Sequence, residues 1–102
     1  MGTNDPAILT TLGAAHYRIG SYGEALKALA KAERILSDAD KSPGRWTLGF
    51  KAMTLHKLGR LEEARNALEQ LRELCKEEQF AEDMDVQGLL AEAEKVLAGE
   101  QP

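Results

Sequence analysis

Apolar residues recur at three-and-four spacing along most of this 102-residue chain, interrupted at regular places by glycine or by short polar stretches. Ile8, Leu9, Leu12, Ala15, His16 and Ile19 mark one face of a first helix, opened by Asp5-Pro6 and closed by Gly20. Ser21-Tyr22-Gly23-Glu24 has the spacing of a capping box, and Tyr22, Ala25, Leu26, Leu29, Ala32, Ile35 and Leu36 trace a second helix. After Ser37-Asp38-Ala39-Asp40-Lys41, the pair Ser42-Pro43 repeats the cap-and-proline start. A third helix carries Trp46, Leu48, Ala52, Leu55 and Leu58 up to Gly59, and a fourth carries Leu61, Ala64, Ala67, Leu68, Leu71, Leu74 and Cys75. Asp83 or Asp85 can cap a fifth, with Val86, Leu89, Leu90, Ala93, Val96 and Leu97 on its stripe.

The first and third helices, with the turns after them, repeat one another. Leu12 to Ala25 is echoed by Lys51 to Ala64, 39 residues further on, each reading as helix, glycine, short turn and an alanine that opens the next helix. A helix pair of this size cannot bury its apolar face alone, so it must stack on a neighbour. The chain is therefore expected to be all-α, two antiparallel helix pairs plus a fifth closing helix within one domain over 1–102. The units are expected at 5–38, 42–78 and 83–98.

Composition removes several functions. With 13 basic against 17 acidic side chains the net charge is −4, which argues against a phosphate-binding surface and hence against nucleic acid as a partner. Cys75 is the lone cysteine, so no intramolecular disulfide or thiolate metal cluster can form. The N-terminal residues lack the basic and apolar regions of a signal peptide, and no apolar run nears the ~20 residues of a membrane span. A cytoplasmic setting away from membranes is expected.

Leu9, Leu12, Gly13, Tyr17, Gly20, Tyr22, Ala25, Leu29 and Ala32 fall in an order of large, small, aromatic and glycine positions that resembles the tetratricopeptide repeat. Leu48, Ala52, Leu55, Gly59, Leu61, Ala64 and Leu68 match it a second time. The wording is also similar to tail repeats of large multidomain bacterial proteins. Lys51 departs from the pattern where leucine is usual, as does Leu71 where a small residue is usual. The 39-residue offset lengthens the connection before the second unit beyond the family's period of about 34.

The resemblance implies a right-handed α-α superhelix and a protein-interaction module whose concave groove holds a peptide or partner segment. Carried over, it puts Thr10, Thr11, Ala14, Tyr17 and Arg18 of the first helix on the groove, with Trp46, Phe50, Met53, His56 and Lys57 of the third. An aromatic and Met-bearing wall beside Arg18, His56 and Lys57 suits a peptide with an acidic or C-terminal group. Packing under the inserted loop or against the partner helix is the other reading of Trp46 and Phe50. The carboxylate clamp by which some family members hold chaperone tails is not reproduced, since Thr10, Ala14 and Phe50 stand where it needs Lys and Asn.

No constellation for catalysis is present in the sequence, and no cofactor is implied. His16 and His56 take loosely corresponding places in the two repeats and have no further ligands spaced for a metal. The glycines mark helix ends, not a phosphate loop, and Cys75 reads as a small buried hydrophobe. The fifth helix is expected to cover the last repeat with Leu89, Leu90, Ala93 and Leu97 while Glu92, Glu94 and Lys95 face water. No cap precedes Pro6, which leaves an end-cap, spacer or homodimerisation element of a longer array as the alternative role.

Overall fold

Residues 5–39, 44–76 and 84–99 are described by the computed structural model, and among them the chain is helical without strands. The elements are α1 (Pro6–Arg18), α2 (Tyr22–Asp38), α3 (Arg45–Lys57), α4 (Leu61–Cys75) and α5 (Met84–Leu97). α1 packs on α2 and α3 on α4 as two hairpins; α3 lies against α2 and α1, and α5 lies against α3 and α4. The architecture is an α-α superhelix of two repeats and a closing helix.

Local chemistry sets the helix ends. The Asp5 carboxylate accepts the Ala7 N–H at 2.9 Å, and Pro6 fills the first helical position. α1 and α3 end in the same turn. Gly20 (φ 85°) donates to Tyr17 O while Ser21 N–H donates to His16 O at 2.8 Å. Gly59 (φ 81°) donates to His56 O while Arg60 N–H donates to Leu55 O at 2.9 Å. A Cβ at either glycine would meet no neighbour within 4 Å, so the requirement is purely conformational. Gly20→Ala and Gly59→Ala are each expected to cost about 1 kcal/mol in urea unfolding, with Asn at either site losing less.

Two expected starts differ. Ser21 makes no side-chain cap bond; its amide is instead taken by the turn that closes α1, and its ψ of 67° departs from the extended geometry of a serine cap. Gly44 is the N-cap of α3, and Ser42 and Pro43 lie outside the described residues. α5 begins at Met84, so Asp85 falls within the helix, and Asp83 lies outside the described residues.

Small residues let the hairpins close. A Cβ at Gly13 would lie 2.6 Å from Leu29 Cγ, so α1 can cross α2 at this distance only with glycine. Ala25, Ala32, Ala52 and Ala64 are wholly buried, and Leu29, Met53, Leu55 and Leu71 fill the space between. The family departures have partners. Lys51 donates to both carboxylate oxygens of Glu33 on α2, at 2.8 and 3.0 Å, tying the hairpins through a half-buried ion pair. Leu71 is fully enclosed in the core cluster with Ala67, Leu68 and Cys75.

The closing helix does more than shed its polar face to water. Leu89 and Ala93 are buried, as expected of a cover, but Glu92 and Glu94 are both engaged. Glu94 accepts from Arg72 of α4 at 2.9 Å, and Glu92 accepts two bonds from Arg18 of α1.

Candidate partner-binding cleft

α3 is gripped unequally by the helices on either side. Toward α5, Gly49 gives no side chain, and a Cβ there would lie 2.6 Å from both Cγ and Cδ2 of Leu89. Toward α1, Thr10 stands at the corresponding position, 39 residues before Gly49, and meets Thr47 with a hydroxyl–hydroxyl distance of 2.7 Å. With threonines and the rings of Trp46 and Phe50 between them, α1 and α3 stay apart. A cleft of about 650 Å³ opens there, lined by Ala7, Thr10 and Ala14 of α1, Trp46 and Phe50 of α3, and Leu36 at the end of α2. Its walls are mainly apolar, with the Thr10–Thr47 pair and Arg45 as polar members of the lining.

An aromatic series runs from the cleft inward. Trp46, 39% exposed, stacks on Phe50 with centroids 6.4 Å apart; Phe50 meets Tyr17 edge-on at 5.9 Å, and Tyr17 meets Tyr22 at 5.6 Å. Trp46 and Phe50 therefore both line the cleft, and Phe50 is also core. The Arg18 guanidinium sits 5.3 Å above the Phe50 ring and 5.8 Å above that of Tyr17 before reaching Glu92. This ion pair runs from the first hairpin to the closing helix across a ring of the second. The bond to Glu92 raises the Arg18 pKa further, and burial, followed by the nearby Glu92 charge, pushes the Tyr17 phenol up.

The expected groove residues thus separate. Thr10, Thr11, Ala14, Trp46 and Phe50 come together around the cleft. Tyr17 is buried beneath it, and Arg18, its side chain still half exposed, is paired with Glu92. Met53 has no exposed surface and belongs to the core, because α5 closes over that side of α3. His56 lies in a different depression, with Leu61, Arg65, Arg72 and Glu94, and Lys57 does not line the cleft. Ala7, Leu36, Arg45 and Thr47 at the cleft, and Glu92 beside Arg18, were not among the expected residues. Thr47 sits 37 residues from Thr10 and Glu92 sits 74 from Arg18, so only the fold brings them together.

Other groups have quieter settings. Burial pushes the Cys75 thiol up, so it stays protonated and unreactive near neutral pH. Among the described residues no three His, Cys, Asp or Glu side chains gather as a metal site, and no helix is long and apolar enough to cross a membrane.

Two stacked helical hairpins closed by a fifth helix, with an apolar cleft between their first helices, define a helix-pair repeat protein. A family model of the tetratricopeptide repeat matches residues 5–77, and the chain belongs to that family. No curated protein and no solved structure matches it. Repeats of this family generally serve as protein–protein interaction modules and are typically non-catalytic.

Proposed function

We propose that the protein is an interaction module that takes an apolar segment of a partner protein into the α1–α3 cleft. The observation that carries this reading is Trp46, a large aromatic left 39% exposed at an apolar cleft of about 650 Å³ and held in place by stacking on Phe50. The partner's contact is an apolar or aromatic side chain with one hydrogen-bonding group for the Thr10–Thr47 pair. Arg18, paired with Glu92, is not the anchor for an acidic or C-terminal group.

The test is selection from a displayed peptide library, followed by titration of the selected peptides using Trp46, the lone tryptophan, as the fluorescent reporter. Trp46→Phe supplies a labelled-peptide control. Trp46→Ala should weaken the selected peptides by about 2 kcal/mol, roughly 30-fold in Kd, while leaving thermal unfolding nearly unchanged. Peptides that bind wild type and Trp46→Ala alike would place recognition elsewhere. The alternative, an end-cap or spacer without a ligand, is supported by α5, whose buried Leu89 and Ala93 cover the last hairpin. It is favoured if selection yields no binders.

A further inference from the structure

Among the described residues, one of the three faces of α1 is left uncovered. Leu9, Gly13 and Tyr17 are turned into the core and Ala7, Thr10 and Ala14 toward the cleft, while Ile8, Leu12, Ala15 and Ile19 are exposed. Ile8 is 50% exposed, Leu12 44% and Ile19 76%. The spacing of these four residues, four-three-four, is that of a two-heptad coiled-coil seam.

The same positions in the second hairpin, 39 residues on, show how this fold treats such a face when a hairpin of its own stacks there. They are Thr47, Lys51, Thr54 and Leu58; Thr47 and Thr54 are buried, and Lys51 is ion-paired with Glu33 of α2. The buried part of a junction between hairpins is thus built from hydroxyls and an ion pair, while Leu58, the counterpart of Ile19, is left 40% exposed. On α1 the set is Ile, Leu, Ala and Ile, with no cation for an incoming glutamate. Nor can a second copy offer its own last hairpin in the manner of α2, because α4, the counterpart of α2, is covered by α5. Among the described residues, the uncovered apolar stripe that a second copy can bring is α1 itself.

We propose that two copies of this chain associate through α1, antiparallel about a two-fold axis. The stripe is self-complementary in that arrangement. When Ile8 faces Ile19 of the other copy, Leu12 faces Ala15, so a large residue meets a small one on both sides of the axis. No Asp, Glu, Lys or Arg occurs between Asp5 and Arg18, so like charges are not brought together, and the helix dipoles oppose. A helix of 13 residues is about 20 Å long and covers less than the roughly 800 Å² per partner of a standard interface. The dimer is accordingly weak and forms only at high concentration. The cleft is not part of the seam, so this inference stands apart from the peptide-binding reading.

Sedimentation equilibrium of the full chain, from about 5 to 500 μM, reads the association directly. Wild type should pass from the 11.2 kDa monomer toward twice that mass as concentration rises. Leu12→Glu should stay monomeric with Kd raised at least tenfold and an unchanged far-UV spectrum, since Leu12 lies outside the core. Ala15→Lys should weaken self-association, and mixing it with Leu12→Glu should restore dimer, because Glu at 12 then faces Lys at 15. Trp46→Ala should dimerise like wild type. Wild type that stays monomeric throughout, Leu12→Glu that dimerises equally well, or a mixture that remains monomeric would each overturn the proposal.

Discussion

Met53→Glu should unfold the domain. Met53 has no exposed surface and lies in the core cluster with Leu48, Ala52 and Leu71. A carboxylate there would lose its water and gain no cation, which costs about 4 kcal/mol or more. That approaches the lower end of the roughly 5–15 kcal/mol by which a domain of this size is stable. Far-UV circular dichroism and urea titration check it, and Met53→Leu, which keeps the volume, should cost less than about 1.5 kcal/mol. A folded Met53→Glu with a wild-type urea midpoint would return Met53 to the ligand surface that the family pattern assigns it.

The reason Met53 is misplaced by sequence alone lies in α3. An outer helix declares its buried side by periodicity, as α2 does with Ala25, Leu29 and Ala32 against exposed Glu24, Lys27 and Lys31. α3 is central: α1, α2, α4 and α5 all touch it, and from Thr47 to Leu55 every residue but Lys51 is buried. A helix surrounded in this way has no polar face to read, so which of its residues line a cleft depends on how closely each neighbour approaches. That distance is set by Gly49 on one side and by Thr10 with Thr47 on the other. The helix ends are more legible because their chemistry is local: Gly20 and Gly59 serve the turns their positions imply. Ser21 does not act as the capping box suggests, because the preceding turn uses the amide that Glu24 would accept from, and its ψ of 67° departs from the extended geometry of a serine cap.

The charged positions show the same division. Glu62 and Glu63 in the first turn of α4, and the Arg72–Glu69 and Lys76–Glu73 pairs, are short-range features that spacing alone exposes. Arg18–Glu92 and Lys51–Glu33 join separate elements, and a single sequence gives no indication that Arg18 is already answered. Both long-range pairs alter the functional reading. Lys51–Glu33 explains how a lysine replaces leucine at a repeat junction, and Arg18–Glu92 engages one of the cations that the sequence offers to an acidic ligand.

The tight α3–α5 contact makes a further claim, one whose sign depends on the background. In wild type, Gly49→Ala should cost about 2 kcal/mol, because its Cβ would press on Leu89 Cγ as well as on the methyls and α5 would have to move. Leu89→Ala removes a side chain that is 3% exposed and should cost about 3 kcal/mol. Together the changes should not add. With Leu89 truncated the new methyl has room, and Gly49→Ala should then stabilise by about 0.5–1 kcal/mol through helix propensity. The double-mutant cycle therefore carries a coupling near 2–3 kcal/mol. Four urea curves, for wild type, both singles and the double, measure it. Additive losses would mean that α5 is not seated on Gly49, and the contrast between a closed α3–α5 contact and an open α1–α3 cleft would go with it.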